Sequence, residues 1–229
     1  MLEPCRRFPP FVWLLVAYLC IGCSGQAKKS PTPKSVGTVT EVPPAVAASS
    51  TDEELDYVEF ITGRAGPEDR LPMIVAIHGL GDSPEGFSGL LRDLNHPARV
   101  ILPRGPGKWH DGFSWFPIRG ANWGDGPWVA ELSRSAGRIA SLVAELTRKR
   151  PTVGKPLVMG FSQGGMLSFT LALHHPEVVG FAVPVGGFLP TSLTPEKLAP
   201  NTPELVAFNG EADTIIPFKL ALETLKRTK

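Results

Sequence analysis

From residue 57 onward, the apolar positions fall alternately into short continuous runs and into stretches with helical spacing. Tyr57 to Ile61, Met73 to Ile77, Ala98 to Leu102, Pro156 to Met159, Val178 to Val185 and Leu205 to Phe208 read as strands. Runs that are apolar without alternation belong to strands covered on both faces. Between the runs, a helix is predicted around Glu85 to Leu94, and Leu132, Ala136, Ile139, Val143 and Leu146 recur at helical spacing within Val129 to Lys149. Met166, Phe169, Thr170 and Leu173 mark another helix, and Leu220, Leu222 and Leu225 among lysines mark a last amphipathic one. Alternating strands and helices predict an α/β fold with a mostly parallel sheet and helices on both faces. A Pro-rich connection spans Gly186 to Pro203, and no internal repeat is visible.

The N-terminal end has a different pattern. Arg6 and Arg7 precede an apolar run from Phe11 to Ile21, too short to span a bilayer as a stable helix, so residues 1–22 read as a signal peptide. Cys20-Ile21-Gly22-Cys23 resembles a bacterial lipobox, although a cysteine rather than a leucine opens it. Processing of that type would leave Cys23 as the acylated N-terminus, and ordinary cleavage nearby is the alternative. Residues 23–50, rich in Ser, Thr, Pro, Lys and Ala, read as a disordered tether, and residues 51–229 as one folded domain. The expectation is an exported protein held to the bacterial cell envelope by lipid, with a secreted or periplasmic protein as the alternative.

Charge and cysteine usage narrow the chemistry. The first 22 residues hold two of the 23 basic and one of the 22 acidic side chains, so the remainder is balanced. Balance gives no electrostatic reason to expect nucleic acid or polybasic membrane binding. All three cysteines lie at or before residue 23, so the domain holds no disulfide, no cysteine metal site and no thiol nucleophile. Asp111 and Asp125 lack histidine or cysteine at ligand spacing, so no metal is predicted and no cofactor is called for.

The chemistry centres on Gly160-Phe161-Ser162-Gln163-Gly164, which follows a buried-strand run and opens a helix, the setting of a serine nucleophile elbow. Such a serine needs a histidine to take its proton and an acid to orient that histidine. Asp213, after the Leu205 to Phe208 run and the Asn209-Gly210 turn, stands where the acid belongs in the order serine, acid, histidine. A turn aspartate capping the helix near Phe218 is the alternative. His78, His96, His110, His174 and His175 all precede Asp213, and the sixteen residues after it read as one helix. The expectation is therefore a chain incomplete at its C-terminus, its last strand and histidine loop missing, with a shortened homologue lacking its base as the alternative. A sheet without that strand would expose a hydrophobic edge.

His78-Gly79-Leu80-Gly81-Asp82, Ser114-Trp115-Phe116, Gly160 to Gly165 and Asn209-Gly210 followed by Asp213 occur in that order over roughly Tyr57 to Lys229. Together they resemble the phospholipase/carboxylesterase family of α/β hydrolases, which includes the acyl-protein thioesterases. The resemblance implies an α/β hydrolase fold, Ser162 as nucleophile, Asp213 as orienting acid, and a family histidine after residue 229. It also implies an oxyanion hole from the backbone amides of Leu80 and Gln163, each worth about 3 to 4 kcal/mol of barrier. His78 is read as structural. Trp109, Phe113, Trp115, Phe116, Trp123 and Trp128 crowd a Gly- and Pro-rich segment, either lining an acyl pocket or pinning a loop. Trp115 and Phe116 are the substrate-binding candidates. Two functional readings follow: a serine hydrolase of small carboxylic esters or thioesters, and a catalytically dead, lipid-anchored binding protein of the same fold.

Overall fold

The computed structural model describes residues 54–117 and 123–228. Strand β1 (Tyr57–Thr62) leads to β2 (Met73–Ile77), helix α1 (Pro84–Ser88), β3 (Ala98–Pro103) and a short hairpin, β4 (Gly107–Trp109) with β5 (Gly112–Ser114). Helix α2 (Pro127–Lys149), β6 (Leu157–Phe161), α3 (Gln163–His174), β7 (Phe181–Val185), β8 (Glu204–Leu205) and α4 (Phe218–Arg227) complete the order. The six-stranded sheet runs β1-β3-β2-β6-β7-β8. β1 is antiparallel to β3, and every other pairing in this sheet is parallel.

The central strands are buried along their length, as their unbroken apolar runs require. Helix α2 begins with Pro127 at a position whose N–H has no helical partner, and ends with Arg148 and Lys149 beside the negative end of its dipole. Its predicted stripe, Leu132, Ala136, Ile139, Val143 and Leu146, is buried in the main core with Met73, Val75 and Ile77 of β2 and Val158 of β6. Helix α3 is buried over almost all its residues: Met166, Leu167 and Leu171 join that core, while Phe169 and Leu173 form a second cluster with Leu189.

Two expectations are corrected. The helix expected to Leu94 stops at Ser88, where Gly89 caps it and isolated turns carry the chain to Leu94. The strand expected from Val178 starts at Phe181, because Val178 closes a turn on the His175 carbonyl and Gly180 bonds Pro156. The β4–β5 hairpin had no signal in its Gly-rich stretch. Beyond Leu205, the amides of Val206 and Phe208 donate to Ala182 and Pro184, so the parallel pairing with β7 continues through most of the expected Leu205 to Phe208 run. Among the described residues β8 is one edge strand of the sheet, and β1 is the other. A groove of about 470 Å³ lies beside β8, lined by Leu173, Leu198, Leu205 and Leu225.

Glu59 on β1 pairs with the buried Arg99 of β3 and, at 3.1 Å, with Arg150 at the end of α2. Burial by itself would raise the Glu59 carboxyl, but hydrogen bonds from Arg150 and Arg99 outweigh it and hold the group below the usual carboxylate range. This stabilisation is fully present above the unfolded pKa and is lost as pH falls through the lower folded value. Glu59→Gln should cost about 2 to 3 kcal/mol at neutral pH, less than a fully buried pair because Glu59 is partly open to water. Denaturant titrations should show the gap to the parent closing in acid. A gap unchanged by pH would locate the loss in packing.

Candidate active site

Residues at the C-terminal ends of the parallel strands build this site, where ligands bind in open α/β sheets. After β6 the chain turns sharply, and Ser162 adopts φ 55° and ψ −113°, a conformation that costs a non-glycine residue about 1 to 3 kcal/mol. Two bonds hold it: the Ser162 amide donates to the Val185 carbonyl at 2.9 Å, and the Ser162 carbonyl accepts from Met166 at 3.0 Å as α3 begins. The glycines around it allow close approach. A Cβ on Gly160 would overlap the Gly164 backbone, one on Gly164 the Ile77 carbonyl, and one on Gly165 would lie 2.5 Å from the Val185 oxygen. Helix α3 thus starts pressed against the ends of β2 and β7.

Gln163 has a second part that its motif does not reveal. Its buried side chain accepts from the Trp115 amide at 2.9 Å and donates to the Phe116 carbonyl at 2.8 Å, locking the Ser114-Trp115-Phe116 segment to the elbow. Its backbone N–H, at the positive end of α3, has no partner among the described residues. Leu80 matches it from the adjacent strand end. Gly81, at φ 80°, donates to Phe113 and Asp82 donates to Gly79, while the Leu80 N–H donates to no described group. Two free amides on neighbouring strand ends, β2 and β6, flank the serine's turn.

Asp213 follows β8 on the same edge, half-buried, with its amide closing a turn onto Gly210. Its Oδ1 accepts from the amides of Ile215 at 2.8 Å and Ile216 at 3.0 Å, and Oδ2 has no partner among the described residues. Pro217, not Asp213, occupies the cap position of α4. The carboxylate therefore braces its own turn and presents one free oxygen.

No histidine among the described residues completes the set, for none of the five hydrogen-bonds Ser162 or Asp213. His78 is fully buried: its Nε2 accepts from Gly105, which places the ring proton on Nδ1, facing the Gly79 carbonyl at 2.7 Å. Burial pushes this ring below the ordinary imidazole range. His174 and His175 lie at the far end of α3, roughly 18 Å from its start. His96 precedes β3, toward the opposite edge of the sheet.

Trp115 and Phe116 lie within the core. Each is only 2% exposed; Trp115 donates to the His78 carbonyl and Phe116 stacks on Trp128. They support the site from within the core, because large aromatic rings gain more from burial there than from solvent exposure. The exposed apolar residues on this edge are Phe161, Trp109 and Ile215, at 52%, 40% and 68%. Phe161 stood beside Ser162 in the motif, the signal that could have singled it out. Cys23 lies outside the described residues. Among the described residues, no cluster suited to a metal ion occurs, and no helix is long and apolar enough to cross a membrane.

A family model described as Phospholipase/Carboxylesterase matches residues 60–229. Acyl-protein thioesterase 1 of Schizosaccharomyces pombe is 28% identical, the match covering 67% of this chain and 73% of that protein. The structure is similar to that of a carboxylesterase from Mesorhizobium loti, with TM-score 0.60, 25% identity and coverage of 76% of this chain and 81% of that one. It also shares its fold with acyl-protein thioesterase 2 of Zea mays, with TM-score 0.61, 22% identity and coverage of 75% and 83%.

Proposed function

Because the chain belongs to the phospholipase/carboxylesterase family of ester-cleaving hydrolases, we propose that it cleaves carboxylic esters or thioesters through an acyl-enzyme on Ser162. The strained Ser162 turn between two unpartnered amides carries this reading. Ser162 Oγ attacks the acyl carbon and gives up its proton to a base. The Leu80 and Gln163 amides hold the resulting oxyanion. The bond to the leaving oxygen or sulfur breaks, the alcohol or thiol departs with a proton, and water then releases the carboxylic acid and restores Ser162. Asp213 orients the base; none of the five described histidines hydrogen-bonds Asp213.

After incubation with a p-nitrophenyl ester, peptide mass spectrometry should find the acyl group on Ser162; acylation elsewhere would remove the nucleophile assignment. A second reading, a non-catalytic binder of esters, draws on one observation, that no described histidine bonds to Ser162. It would prevail if ligand binds without any acylation. We further propose a lipid anchor on Cys23, with the protein at the cell envelope, supported by the Cys20 to Cys23 pattern. Palmitate should label the parent but not Cys23→Ser; equal labelling of both would exclude this anchor.

A further inference from the structure

Trp123 connects the core to the turn that carries Asp213. Its ring packs edge-on against Phe188, with centroids 5.6 Å apart, and against Trp128 at 6.5 Å. Phe188 is buried in the main core, so the ring end of the indole is fixed. The other end reaches outward, and Nε1 donates to the Ile215 carbonyl at 2.9 Å. That carbonyl belongs to the peptide group whose N–H, on Ile216, donates to Asp213 Oδ1 at 3.0 Å. One peptide thus accepts from the indole and donates to the carboxylate.

Hydrogen bonds in such a chain polarise one another, so the indole both fixes and strengthens the bond to the acid. The Ile215 side chain is exposed and contributes little anchoring of its own. Asp125, two residues on from Trp123, accepts from the Ser192 amide at 3.0 Å, so the segment carrying the indole is itself tied down.

We infer that Trp123 is a positioning residue for Asp213, holding the acid's turn through the Ile215–Ile216 peptide so that Oδ2 stays directed at the base. This rests on the reading of Asp213 as the orienting acid, and the test separates the two. Trp123→Phe keeps the ring against Phe188 and removes only the donor. On the full-length protein with a short p-nitrophenyl ester, kcat should fall about fivefold, the worth of one ordinary hydrogen bond. KM should stay within about twofold of the parent, since the acid does not bind substrate. The thermal midpoint should be close to the parent's. In an Asp213→Asn background, Trp123→Phe should add no further loss, because both changes act through one group. If Asp213→Asn lowers kcat but Trp123→Phe does not, or if the two losses add in full, the inference is overturned. If Asp213→Asn itself leaves kcat unchanged, the acid assignment fails and takes the inference with it.

Discussion

Alanine in place of Gly164 is expected to destabilise the domain by about 3 kcal/mol or more, the upper range of overpacking. The added methyl would overlap the Ile77 carbonyl oxygen and lie 3.0 Å from the His78 carbonyl. Both obstacles are backbone at the end of β2, which cannot rotate aside as a side chain could, so α3 must lift from the sheet and the serine turn with it. A domain of this size should lose roughly 6 to 12 °C of thermal midpoint. Gly137 in α2 is the matched control: a methyl added there would meet nothing within 4 Å, so Gly137→Ala should stabilise by about 0.5 to 1 kcal/mol through helix propensity and a less flexible unfolded chain. Equal losses at both sites, read by thermal melts, would show that the packing of Gly164 is not what matters.

The other large effect is covalent. An organophosphonate probe should form a stable adduct on Ser162 in the parent, because its tetrahedral, anionic form suits a site with two unpartnered amides. Ser162→Ala should lose the adduct completely while melting near the parent temperature, since alanine keeps the Cβ and with it the strain of the turn. Adduct persisting in Ser162→Ala would place the nucleophile elsewhere.

Periodicity located the elements whose neighbours are uniform. The apolar run Met73 to Ile77 is buried on both faces, and the observed strand has the same bounds. Where local chemistry competes with the period, it wins: Gly89 ends α1 early, and Gly180 delays β7. Strand direction is not written in hydrophobicity, so the antiparallel β1 could not be told from its parallel neighbours. At the site, the sharp turns at Ser162 and Asp213 were legible because tight turns demand particular residues at fixed spacings. The side-chain role of Gln163 and the burial of Trp115 and Phe116 were not, since they depend on segments almost 50 positions apart meeting in space. The Trp123 to Ile215 bond, spanning 92 positions, is of the same kind.

The position of β8 also bears on how the molecule breathes. Native proteins open in cooperative pieces, and the outermost, shortest elements open most readily. β2 and β6 exchange bonds with strands on both sides, whereas among the described residues β8 pairs only with β7. In hydrogen exchange, the amides of Val206 and Phe208 should therefore lose protection well before those of Val75 and Val158. Asp213 follows this strand and Ser162 follows a central one, so a single local opening would withdraw the Asp213 carboxylate and leave the Ser162 turn intact. The two halves of the candidate site then have separate lifetimes, and the Asp213 half can form and dissolve without global unfolding.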